Sequence, residues 1–194
     1  MLSTRKSSTH NNIEQPNRNR LLWRDRSVDG VKTGFTNAAG YCLVASAERD
    51  GMRLISVVLG TENDEARMRE SQKLLSYGFR NYETKTLYEP GTSLQEQPIY
   101  YGEVEALPLG VAEGVIVTFP KGYYQDIDAS ITVPGYFEAP IGKGDVLGSI
   151  ELILSDEVIY TGDVIAQIGV EESGWFAQFG DYIYLMFNQS SVDE

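Results

Sequence analysis

The stretch VDGVKTGFTNAAGYCLVASAERDGMRLISVVLG, Val28 to Gly60, decides the fold. From Tyr41 onward it holds two apolar runs of strand length, separated at Glu48 to Gly51 by a turn whose Asp50-Gly51 pair is a hairpin signal. Leu43, Ala45 and Ala47 alternate with Cys42 and Val44 in the first run, and Ile55, Val57 and Leu59 with Leu54 and Val58 in the second. Strands that are apolar on both faces are normally covered on both sides. The preceding VDGVKTG supplies a third strand. Downstream, TENDEARMRESQKLLSYGF, Thr61 to Phe79, predicts a helix capped by Thr61 or Asn63, with acidic residues in its first turn and a Glu65–Arg69 pair at i,i+4. Met68, Leu75 and Phe79 form one apolar stripe, with Leu74 beside it and Gly78 near the end. One helix covers one face of a sheet, so this half needs a second layer that residues 1–27 are too polar to supply.

Charge divides the chain of 194 residues unevenly. Residues 1–85 carry 14 Lys and Arg against 10 Asp and Glu, and residues 86–194 carry 2 against 18, giving a total of −12. The shift predicts a domain boundary near Thr84 to Pro90, and the acidic second half argues against a nucleic-acid partner. Residues 1–20 have almost nothing to bury and are expected to be a flexible polar tail, with order starting at Leu21. From about Tyr88 the pattern becomes short strands between closely spaced Gly, Pro and Asp turns: QPIYYG, GVIVTFP, ASITVPG and VLGSIELILSDEVIYTGDVIAQIGV. That spacing predicts an all-β sandwich or barrel.

Residues 173–189, SGWFAQFGDYIYLMFNQ, place Trp175, Phe176, Phe179, Ile183, Met186 and Phe187 at helical spacing. The segment is too short and too polar on its other face for a membrane span but suits an interfacial helix. It has no Lys or Arg and is flanked by Glu171, Glu172, Asp193 and Glu194, so a membrane surface and packing on the protein itself both stand as readings. No secretory signal is expected in the chain as written. The lone Cys42 reads as a buried thiol, and the lone His10 as a solvated side chain, with no metal or cofactor implied.

Chemistry enters at Lys32-Thr33-Gly34. On an exposed strand an ammonium and a hydroxyl can both donate to a ligand carboxylate, and the glycine lets the ligand approach the backbone. The tripeptide by itself is weak evidence. Its context is stronger: NRNRLLW, the Val28–Gly60 stretch and SQKLLSYGFR, followed by a β-rich module and an aromatic terminal segment, closely resemble the low-molecular-mass penicillin-binding proteins that are D-alanyl-D-alanine carboxypeptidases. The resemblance runs from about Asn12 to Asn188.

The resemblance implies an α+β chain with four parts: the tail (1–20), the carboxy-terminal part of a β-lactamase/transpeptidase-like antiparallel sheet with one helix (21–84), a β-sandwich domain (85–170) and an amphipathic helix (173–189). It implies that Lys32, Thr33 and Gly34 hold the terminal carboxylate of a peptidoglycan stem peptide or a β-lactam. Arg18 is implied to contact the same carboxylate with Arg67 behind it, and the Phe35 backbone N–H to be one of two oxyanion-hole donors. Work at the periplasmic face of the cytoplasmic membrane, in cell-wall synthesis and cell shape, is implied for the parent family. Such enzymes need an S-x-x-K motif, whose lysine accepts the serine proton, and an S-x-N motif. Here S-x-x-K occurs only at Ser3–Lys6, in the polar tail, and S-x-N does not occur. The chain by itself is therefore expected to be inactive. Two rivals remain: a non-catalytic cell-wall or protein-interaction module, and a homo-oligomer that covers the exposed sheet face.

Overall fold

A computed structural model describes residues 4–174. The chain divides into two units, one running to Lys85 together with Thr118–Gly122, the other Thr86–Val117 with the residues from Tyr123 onward.

The first unit opens with strands β1 (Ser7–His10) and β2 (Ile13–Pro16), paired antiparallel from Ser7↔Pro16 to His10↔Ile13. The segment expected to be a flexible tail is thus a hairpin. All eight of its strand residues are exposed, so it has no hydrophobic signature. Its turn, Asn11-Asn12 with φ of 49° and 60°, is the type I′ geometry that asparagine tolerates. A single helical turn, α1 (Leu21–Arg24), follows with Leu21 and Leu22 buried.

Strands β3 (Val28–Thr36), β4 (Gly40–Arg49) and β5 (Met52–Thr61) form an antiparallel sheet in that order, leaving β3 at an edge. The β4–β5 turn is narrower than the sequence indicates: Arg49 faces Met52, and Asp50 and Gly51 alone make the bend, at φ of 49° and 78°. Helix α2 (Asp64–Asn81) starts at Asn63, whose side chain accepts from the Ala66 N–H at 2.8 Å. Met68, Leu75 and Phe79 pack with Leu43, Ala45, Ala47, Met52, Leu21, Leu22 and Val28 in one core. Leu74 is exposed. The expected Glu65–Arg69 pair does not form; Glu65 takes Arg24 and Arg69 takes Glu70. Lys121 secures the helix end, its Nζ donating to Phe79 O at 2.9 Å and its backbone N–H to Asn81 O at 2.9 Å.

Alternation along β5 sends Met52 and Val58 into the α2 side and Ile55, Val57 and Leu59 to the other. Those three are 64%, 56% and 69% exposed. Among the described residues no second layer covers this face.

The second unit is built on a six-stranded sheet with the order β10 (Ile127–Thr132), β12 (Val146–Leu154), β13 (Glu157–Ala166), β8 (Ala106–Gly110), β7 (Ser93–Tyr100) and β11 (Phe137–Glu138). All neighbours are antiparallel except β11 and β7. Strands β6 (Tyr82–Tyr88) and β9 (Val115–Pro120) form a separate two-stranded sheet. Leu107, Leu109, Val115, Ile150, Leu152 and Val164 are all but fully buried. This is the β-sandwich-like half of an α+β chain. Strands β6 and β8 escape the sequence reading because TKT and ALPLG lack a clean period-2 pattern flanked by turns. Of the terminal helix expected over 173–189, only Ser173 and Gly174 are described; the candidate membrane-facing residues Trp175, Phe176, Phe179, Ile183, Met186 and Phe187 lie outside the described residues. No helix among the described residues is long and apolar enough to cross a membrane.

Candidate functional site

Strand β3 leaves one of its edges free, and there a pocket of about 1140 Å³ opens. Its walls include Lys32, Thr33, Gly34 and Phe35 of β3, Arg18 and Arg20 from the loop before α1, Trp23 and Arg24 of α1, Tyr41 of β4, and Asp64 and Arg67 of α2. The structure thus brings together all six positions singled out in the sequence: Lys32, Thr33, Gly34, Phe35, Arg18 and Arg67.

Lys32 and Thr33 do not share a face. Cross-strand register sets Lys32 beside Val44 and Val57, and Thr33 beside Leu43 and Val58. Both line the same pocket because the pocket lies along the strand edge, where either face can be reached. The Lys32 ammonium is exposed and folds onto the Thr33 carbonyl oxygen. Arg18 is exposed and lines the pocket.

Arg18 sits between two asparagines that immobilise its loop. Asn19, 2% exposed, donates from Nδ2 to Gly30 O at 3.0 Å and accepts the Leu21 N–H on Oδ1 at 3.2 Å. Asn17 accepts the Asn19 N–H at 2.9 Å and reaches back to Arg5 O at 2.9 Å. The loop is therefore tied both to β3 and to the segment leading into β1. Sequence reasoning missed these two residues; the available signal was asparagine on both sides of an arginine just ahead of the first apolar residues.

Arg67 occupies a different role from Arg18. It is 4% exposed, and its Nη1 lies 3.1 Å from both Gly34 O and Cys42 O. Its Nη2 bonds Asp64 Oδ1, and its guanidinium lies 5.4 Å from the centre of the Tyr41 ring, which packs against Phe35 with ring centres 4.4 Å apart and planes tilted by 43°. Asp64 and Glu65 are the acidic neighbours of the pocket. Glu65 is engaged by Arg24 at 2.6 and 3.0 Å, and these bonds hold its carboxyl below the usual glutamate range. Arg20 reaches Asp64 at 3.6 Å. With the acids committed to neighbouring arginines, Arg18 and Lys32 remain as the cations that a small carboxylate can meet. Among the described residues no group of three or more His, Cys, Asp or Glu could hold a metal ion.

The chain is similar to known proteins over most of its length. Residues 1–63 match the D-alanyl-D-alanine carboxypeptidase family, and residues 82–172 match the family described as penicillin-binding protein 5, C-terminal domain. Both halves carry the sequence and fold of the low-molecular-mass penicillin-binding proteins, the family to which the chain belongs. It is 44% identical to the D-alanyl-D-alanine carboxypeptidase DacC of Escherichia coli K12 over 186 residues, 95% of this chain and 46% of that protein. It is 34% identical to DacF of Bacillus subtilis over 82% of this chain and 41% of that protein. A crystal structure of penicillin-binding protein 5 from Haemophilus influenzae superposes with a TM-score of 0.80 at 40% identity, covering 88% of this chain and 51% of the other. The chain thus spans about half the length of the relatives it matches.

Proposed function

We propose that this chain supplies the carboxylate clamp and one oxyanion-hole donor of a serine-type D-alanyl-D-alanine carboxypeptidase. The observation that carries the reading is the convergence of Arg18, Lys32 and Thr33 on one pocket at a free strand edge. A peptide ending in D-Ala-D-Ala presents a terminal carboxylate to those donors, and its scissile carbonyl then lies along the strand toward the Phe35 N–H. In the complete reaction a serine attacks that carbonyl, D-alanine leaves, and water hydrolyses the acyl-enzyme. β-Lactams carry the same carboxylate and an acylating carbonyl, so they are read as ligands of the same clamp.

The clamp binds but does not attack. The one S-x-x-K match, Ser3–Lys6, lies ahead of β1 in a wholly polar segment, and the sequence has no S-x-N. Intact-mass measurement after exposure to benzylpenicillin is expected to show no covalent adduct, while amide resonances of Thr33 and Phe35 shift on titration with an acetylated peptide ending in D-Ala-D-Ala. A stoichiometric adduct overturns the first expectation. Unmoved resonances at saturating peptide overturn the clamp.

The finer placement, also proposed, is the periplasmic face of the cytoplasmic membrane, with residues 173–189 as an interfacial helix. One observation favours an additional oligomeric reading: Ile55, Val57 and Leu59 form an exposed apolar row on the sheet. Sedimentation as a monomer at micromolar concentration counts against it.

A further inference from the structure

The resemblance to the carboxypeptidases assigns Arg67 to the substrate carboxylate, behind Arg18. The bonds it makes assign it elsewhere. A side chain 4% exposed has given one nitrogen to two backbone carbonyls and another to Asp64. Its Nε, the one guanidinium nitrogen without a partner among the described residues, is buried. A guanidinium so engaged has little left to offer a ligand.

The carbonyls it takes are informative. Gly34 O belongs to β3 and Cys42 O to β4, and Gly34 and Cys42 are register partners. One Nη1 within 3.1 Å of both requires the Gly34 carbonyl to point toward β4. Gly34 C=O and Phe35 N–H are the two ends of one peptide unit, which is planar and trans, so they point in opposite directions. The Phe35 N–H is therefore aimed off the free edge of β3, into the pocket. The Phe35 ring is held from the same source, since it packs at a tilt against Tyr41 and the Arg67 guanidinium lies against Tyr41.

We infer that Arg67 is a positioning residue: by gripping the Gly34 carbonyl it fixes the plane of the Gly34–Phe35 peptide and thereby the direction of the oxyanion-hole N–H. This deepens the carboxypeptidase reading and rests on it only for the ligand, not for the peptide plane. Oxyanion donors act through preorganisation, since a donor that must rotate during reaction loses most of its advantage. The grip comes from α2, so the helix that covers one sheet face also sets the chemistry of the sheet edge.

The test uses the full chain, labelled with 15N. Asp64→Asn removes the ion pair and leaves the carbonyl bonds, so the ligand-free Phe35 amide peak is expected to stay in place. In Arg67→Met combined with Asp64→Asn, which leaves no unpaired buried charge, that peak is expected to move away from its wild-type position. The acetylated D-Ala-D-Ala peptide is then expected to bind about tenfold more weakly, the size of one lost hydrogen bond. Arg67→Lys, which can reach one carbonyl but not bridge two, is expected to lie between. A double variant, or Arg67→Lys should the double variant fail to fold, that shows native α2 amide peaks and an unmoved Phe35 peak overturns the inference. So does a Phe35 shift as large in Asp64→Asn as in the arginine variants. If the wild-type chain binds no peptide, the functional reading fails while the ligand-free Phe35 peak still decides the role of Arg67.

Discussion

Replacing Asn19 with alanine is expected to be among the costliest single changes in the first unit, though the residue lies in a loop and touches no ligand. Its side chain satisfies two buried groups, the Gly30 carbonyl and the Leu21 N–H. Gly30 and Leu21 are both buried, so water cannot easily replace the lost partner at either. An unsatisfied buried group costs about 1–3 kcal/mol, so two give about 2–5 kcal/mol after allowing for local relaxation. Against a typical domain stability of about 5–15 kcal/mol this is a large share. Asn19→Asp keeps an acceptor for the Leu21 N–H but sets an oxygen against Gly30 O, so it is expected to recover only part of the loss. The assay is urea unfolding followed at amide resonances of β3–β5, with hydrogen exchange at Leu21 and Val31 as the local readout. The same change should weaken peptide binding through Arg18, whose loop it frees. A loss below about 0.5 kcal/mol, the range of ordinary surface substitutions, would refute the claim that these bonds anchor the loop.

Other outcomes follow from single contacts. Gly34 does not have a left-handed backbone, and a Cβ built there meets only Cys42 Cβ, at 3.8 Å. Gly34→Ala is therefore expected to cost less than about 1 kcal/mol in urea unfolding, the ordinary range for a tolerated small change. It should nevertheless weaken binding of the D-Ala-D-Ala peptide in a titration; equal affinity would show that ligand does not approach this backbone. Asn63→Ala removes the cap of α2 and is expected to cost about 1 kcal/mol, read as a lower urea midpoint. Acid should destabilise the first unit through Asp25 and Asp29. Burial alone pushes Asp25 up, but its two bonds from Ser27 and the Arg49 guanidinium outweigh that and hold its carboxyl below the ordinary range. The Arg53 hydrogen bond does the same for Asp29. Carboxyls lowered by folding stabilise fully above their unfolded value, about 3.9, and that contribution fades as pH falls through the folded value. The urea midpoint should be flat from neutrality to about pH 5 and then fall, less steeply in Asp25→Asn and Asp29→Asn; parallel slopes would contradict the assignment.

How much of this was legible in the sequence depended on the kind of signal involved. The β4–β5 hairpin announced itself through Asp50-Gly51 between apolar runs, and α2 through the Met68, Leu75, Phe79 stripe. The uncovered row of Ile55, Val57 and Leu59 followed from the same arithmetic, since a strand apolar on both faces next to one helix leaves a face over. The β1–β2 hairpin was invisible because it buries nothing and rests on backbone pairing and two asparagines in the left-handed region. At the site, Lys32, Thr33 and Gly34 were readable as a spaced motif. The partner of Glu65 was not: a helical i,i+4 rule points to Arg69, whereas the fold offers Arg24, 41 residues away, with two bonds. Asn19 was hidden for the same reason, because its bond to the Gly30 carbonyl, 11 residues on, lies beyond any local pattern.

The buried arginine also bears on how the proposed carboxylate clamp is held. A clamp made only of exposed cations would reorganise freely, and surface ion pairs contribute little by themselves. Here the direction of the strand edge is fixed from within. Arg67 holds Gly34 and Cys42, Asn19 holds Gly30, and both anchors draw on elements whose packing belongs to the core of α2, β4 and α1. Arg18 and Lys32 are then exposed side chains mounted on a rigid frame, an arrangement in which a short charged ligand could bind without ordering the backbone first. The energetic demand of positioning is met by burial on the α2 face, and the opposite face is not needed for it. Removing anchors from the α2 side should therefore weaken carboxylate binding, whereas Ile55→Ser or Val57→Ser on the open face should leave peptide affinity unchanged. A loss of affinity in the open-face variants would mean that the frame is held from both sides.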